Sequence, residues 1–154
     1  MTGPTPGEAI AHAINASSWV YPAANVAHVV GIVLVVGPVL AFDFRLLGLT
    51  SAGNIRDLAR VLLPWPLVGL LIAVPAGLVL FASESTALLT NPAFRLKLLL
   101  LTLAASNAIA LHASGVLRGL QDGVPAPLRP KLHAALSVLL WISVVACGRM
   151  IAYV

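Results

Sequence analysis

Four apolar stretches of about 20 residues or more, separated by short polar breaks, dominate this chain. A helix needs roughly 20 residues to cross about 30 Å of hydrocarbon. Backbone N–H and C=O groups in that medium must be paired within the segment, which selects the helix. The spans read as 23–47, 58–81, 92–117 and 130–154. Charge agrees with this reading. Nine Lys plus Arg and five Asp plus Glu make up only 9% of 154 residues, against 60% hydrophobic, where a soluble domain carries about a quarter charged. So few charges cannot cover a water-soluble sphere. A soluble enzyme, a disordered chain and a nucleic-acid binder are excluded, and the lipid bilayer is the first expected partner. The expected fold is all-α, an integral membrane four-helix bundle over 23–154.

The breaks carry specific signals. Gly48 through Asn54 separates the first two spans, and Asp122-Gly123-Val124-Pro125 the last two. Asn91-Pro92 reads as an N-cap followed by proline at the first helical position. Pro64, Pro66 and Pro75 fall in the second span and predict a kink, because proline removes a donor and clashes with the preceding turn. Residues 1–22 lack Lys and Arg and any long apolar core, so they do not read as a signal peptide. Thr5-Pro6-Gly7-Glu8 has the form of a capping box. Ile10, Ala13, Ile14 and Ser17 then share one helical face, and Trp19 and Tyr21 supply an aromatic anchor. A short amphipathic helix lying in the membrane interface is expected there.

The excess of positive charge, +4 overall, reads as a topology signal. Arg45, Arg56, Arg60, Arg118, Arg129 and Lys131 flank the first and third loops, whereas Arg95, Lys97 and Arg149 lie on the opposite side. The positive-inside rule then puts the six in the cytoplasm and both termini in the periplasm of a bacterial inner membrane.

Ionisable groups in hydrocarbon are costly and tend to be functional. Here they are His28, Asp43, Asn107 as a polar companion, His112, His133 and Arg149, with Lys97 near an edge. At a rise of roughly 1.5 Å per residue, His112 and His133 fall within about one turn of the same depth. Two imidazoles on adjacent antiparallel helices suit a b-type haem, with Arg118, Arg129 and Lys131 available to its propionates. His28 lies at the level of Arg95, Lys97 and Arg149, with His12 on the surface helix as its expected companion. The same three membrane histidines, His28, His112 and His133, could hold copper or zinc. The competing reading makes each an interfacial hydrogen-bonding residue. Asp43 is expected to pair with Arg45, Arg60 or Arg118, or to orient a histidine. Asn107 is expected to join helices. Gly115 and Gly119, with Ser106, Ala110 and Ser114, have the spacing of a close-packing face. Cys147 is expected to be inert.

Three stretches together resemble a bacterial family of four-helix membrane proteins of unassigned role. They are His28-Val29-Val30-Gly31, continuing to Gly37 and Asp43-Phe44-Arg45-Leu46-Leu47-Gly48; Asn91-Pro92-Ala93-Phe94-Arg95-Leu96-Lys97; and Gly148-Arg149-Met150-Ile151-Ala152-Tyr153. That family is similar in layout to copper-resistance D membrane domains and small b-type cytochromes. The resemblance implies a four-span bundle and matching positions at His28, Asp43, Lys97 and Arg149. The leading expectation is a haem-binding electron carrier, with quinone or a redox protein as partner and a second copy as a further one. The alternatives are a small transport or metal-handling protein and a cofactor-free accessory subunit. No residue set forms a catalytic constellation, so a stand-alone enzyme is not expected.

Overall fold

The computed structural model describes residues 6–51, 53–120 and 124–153. Thr5 of the expected capping box, Asp122-Gly123 and the Arg118 side chain lie outside that description. Among the described residues seven helices follow in order: α1 (Pro6–Ala16), α2 (Val20–Leu47), α3 (Ile55–Leu62), α4 (Pro64–Ser83), α5 (Ser85–Thr90), α6 (Pro92–Ala113) and α7 (Leu128–Met150), with a 3₁₀ turn at Val116–Gly119 before α7. Among the described residues four segments are long and apolar enough to cross a membrane: α2, α3 joined with α4, α6 and α7. Only 17–22% of the residues in each apolar window are buried within the chain, which leaves much apolar surface for lipid. The all-α membrane bundle read from the sequence is the fold observed.

Local chemistry explains each boundary. Gly48 adopts φ 81°, and its N–H reaches Arg45 O while Leu49 N–H reaches Phe44 O. This left-handed glycine cap ends α2. Asn54 starts α3 by accepting from the N–H groups of Arg56 and Asp57 at 2.8 and 3.3 Å. The expected kink in the second span takes the form of a break at Leu63. Pro64 and Pro66 cannot donate to the carbonyls of Arg60 and Leu62, so α3 stops and α4 restarts with proline in its first turn. Asn91 caps α6 by accepting from Phe94 N–H at 3.0 Å, as its sequence indicates. Helix α6 ends at Ala113, four residues short of the expected 117. Gly115 there takes φ 67°, and the Ser114 hydroxyl donates to Leu111 O at 2.6 Å. The close-packing face expected from Gly115 and Gly119 is therefore absent: neither glycine lies in α6, and Ser106 and Ala110 are exposed.

Up-down connectivity makes a ring in the order α2, α4, α6, α7. Helix α2 packs extensively on α4, α6 on α7, and α2 on α7. The fourth side is joined by Phe81 of α4 stacked on Phe94 of α6, with ring centroids 5.8 Å apart. The closest approach is between α2 and α4. A Cβ on Gly31 would lie 2.6 Å from Ala73 N, and one on Gly69 would lie 2.7 Å from Gly31 O. Gly69, Ala73 and Gly77 are spaced by four, the small-residue pattern that lets membrane helices touch through their backbones. Phe42, Leu46, Ile55, Leu111, Leu120 and Ala134 form the buried cluster. It sits at the end of the bundle that carries the basic loops, here called the loop end. The opposite end holds α1, which packs on α4 and donates from Asn15 Nδ2 to Ser83 O at 3.4 Å.

Candidate functional site

Among the described residues the polar candidates inside the bundle lie at three places. Between α2 and α4, His28 is half-buried, with Nδ1 2.7 Å from Ala73 O. A carbonyl oxygen only accepts, so Nδ1 carries the proton and Nε2 keeps its lone pair. Gly77 makes room for the ring: a Cβ there would approach His28 Cε1 to 2.9 Å. Lys97 of α6 lies within electrostatic reach of this imidazole and of the Cys147 thiol. Its Nζ lies over Gly148 of α7, 3.6 Å from where a Cβ would stand. The half-buried Lys97 has no ion-pair partner among the described residues.

Between α6 and α7, Asn107 and His133 bond reciprocally. Asn107 Nδ2 donates to His133 O at 3.0 Å, which fixes the amide so that Oδ1 accepts from His133 Nδ1–H at 2.7 Å. Asn107 is 8% exposed, and it joins two helices as expected. His112 does not meet His133. It lies five residues beyond Asn107, about 140° further round a 3.6-residue helix. It is exposed, and its Nδ1 donates to Ala108 O of its own helix at 2.8 Å. Within one chain the two rings therefore do not face each other across a common slot.

Between α2 and α7, Asp43 is 3% exposed. Ser137 of α7, itself buried, is the hydrogen-bonding side chain at its carboxylate, while Oδ2 has no partner. The expected arginine pairing is corrected for two of the three candidates. Arg45 donates to Gly53 O at 3.4 and 3.3 Å. Arg60 pairs with Asp57 at 3.5 Å in the one ion pair among the described residues, on an exposed face. Asp43 lies on the side of α2 that faces α7, whereas both arginines serve the loop. A carboxylate left so is a net burden, because an unsatisfied buried acceptor costs about 1–3 kcal/mol. Asp43→Asn is therefore expected to melt at or above the wild-type temperature when followed by circular dichroism in detergent. A fall of several degrees would reveal a partner that the carboxylate depends on.

The remaining candidates lie at the rim. His12 is exposed on α1. Arg149 donates to Tyr153 Oη and stacks over that ring, 4.7 Å from its centroid. Cys147 is a half-buried free thiol. Among the described residues no three His, Cys, Asp or Glu side chains converge as a metal cluster. Ser137, Ala73 and the Gly69/Gly77 pair were not singled out from the sequence. The four-residue spacing of Gly69, Ala73 and Gly77 was a readable signal; Ser137 had none. No family model, curated protein or solved structure matches the chain.

Proposed function

We propose that the protein is a membrane-embedded b-type haem carrier of electrons, with His28 as a ligand and Lys97 as the cation beside it. One observation carries the reading. His28, His112 and His133 each commit Nδ1 to an oxygen acceptor, so in the neutral ring Nε2 is the nitrogen left with its lone pair, the form a metal ligand needs. At His28 the donor set also fits: Gly77 gives the ring its seat, and an unpaired ammonium stands nearby for a propionate. Haem bound there would supply one-electron exchange. Ala73 O would hold the tautomer and the ring orientation, and the apolar walls of α2 and α4 would exclude water. His133, held by Asn107, and His112, on the open side of α6, serve in this reading as ligand positions at the other level. A quinone or a redox protein is the partner class, and a second copy could approach along the His112 side. We place the loop end in the cytoplasm and the termini in the periplasm of a bacterial inner membrane, on the six-to-three bias of basic residues.

Purified protein supplied with haem is expected to show a Soret band that shifts on dithionite reduction. His28→Ala should abolish or displace it, and the exposed His12→Ala should not. A folded preparation that stays colourless with excess haem overturns the reading. The unpartnered Asp43 Oδ2 favours a second one, metal handling or transport. Metal analysis of the same preparation, with Asp43→Asn as the comparison, tests it.

A further inference from the structure

The loop end contains two adjoining hollows that together have the form of an amphiphile. The first is an enclosed cavity of about 50 Å³ bordered by Arg45, Lys131, Gly48 and the loop residues 124–126. The second is an open groove of about 420 Å³ walled by Phe42, Ala59, Leu63 and Leu117, with Arg56 also on its wall. Ile55 and Leu120 border both, so the two hollows adjoin. The polar hollow is cationic. Arg45 is anchored at its border by two hydrogen bonds to Gly53 O, and the half-buried Lys131 has no ion-pair partner among the described residues. Among the described residues neither Asp nor Glu lines either hollow. The groove is mostly apolar, and its walls come from α2, from the helix broken at Leu63 and from the 3₁₀ turn after α6.

We propose that this is a binding site for one anionic phospholipid, its phosphate between Arg45 and Lys131 and an acyl chain in the groove. Charge complementarity and the continuity of cationic and apolar walls select that occupant over a zwitterionic lipid. A bilayer supplies it directly. Basic pockets between membrane helices are the usual seats of such headgroups. The proposal is independent of haem at His28, which lies towards the opposite end of the bundle.

The experiment is native mass spectrometry of the full chain released from bilayers containing equal phosphatidylglycerol and phosphatidylcholine. Wild type is expected to retain one phosphatidylglycerol in preference to phosphatidylcholine. Lys131→Gln should weaken that preference about fivefold, the effect of one surface cation on an anionic lipid. Arg129→Gln, which removes an exposed cation at the same end, should leave retention unchanged. Ala59→Trp, which fills the groove, should lower retention of any lipid. Circular dichroism of each variant confirms that helicity is kept. Equal retention of the two lipids by wild type overturns the proposal, as does an unaltered preference in folded Lys131→Gln. Displacement of the lipid by millimolar inorganic phosphate would show a free-anion site and overturn the acyl-chain half. Unchanged retention in folded Ala59→Trp would do the same.

Discussion

Gly31→Ala is expected to lower the melting temperature sharply, while Gly37→Ala, six residues further along the same helix, is expected to raise it. The added methyl is identical; what it meets differs. At Gly31 it would lie 2.6–2.8 Å from the N, Cα and Cβ of Ala73, two of them backbone atoms that cannot rotate aside. At Gly37 nothing lies within 4 Å. Overpacking of this kind costs about 1–3 kcal/mol, and forcing α2 from α4 along their main contact puts Gly31→Ala at the upper end. Gly69→Ala should behave alike, since its Cβ would meet Gly31 O and Val35. Gly37→Ala should contribute about 0.5–1 kcal/mol of stability through lost freedom of the unfolded chain. Thermal unfolding in one detergent checks all three. Equal effects at Gly31 and Gly37 would show that α2 and α4 do not touch through Gly31.

Asn107→Leu should be the most damaging single change between α6 and α7. It strands His133 Nδ1–H at a half-buried position, and a stranded group of this kind costs about 1–3 kcal/mol. His133→Leu should cost less, because the His133 backbone carbonyl still accepts from Asn107. The double variant should fall short of the sum by about 0.6–2 kcal/mol, the range for polar contacts between membrane helices. Strict additivity in that cycle would contradict the reciprocal bond. If His133 also binds haem, Asn107→Leu should change its spectrum as well, since Asn107 fixes which nitrogen is free.

The features legible beforehand were those governed by one helix and its solvent. Span number, length and end signals follow from hydropathy and capping, and Asn91-Pro92 is the clearest case. The break at Leu63 was half legible: three prolines announced a disturbance, and the pair Pro64 and Pro66, rather than Pro75, is where the helix breaks. The glycine contact was misplaced because Gly115-x-x-x-Gly119 and Gly69-x-x-x-Ala73 obey the same spacing. Only the left-handed cap at Gly115 shows that the helix has already ended there. His112 and His133 were matched by depth, a coordinate the sequence supplies. Their azimuth depends on how α6 turns against α7, and Asn107 sets that. Asp43 shows the same limit, since its partner lies on a helix 94 residues further along the chain.

The ring has a consequence for assembly. Its most intimate contacts join α2 with α4 and α6 with α7, elements that are neighbours in the chain apart from the short α3 and the loop turn. Each hairpin can thus zip as soon as its second arm enters the bilayer, without waiting for the rest of the chain, and such local pairing favours rapid assembly. The last event is then docking of two finished hairpins along α2 and α7. The seam that closes last is the one carrying Asp43 and Ser137, so the most polar inter-hairpin surface stays open longest to water, ions or a cofactor during biogenesis.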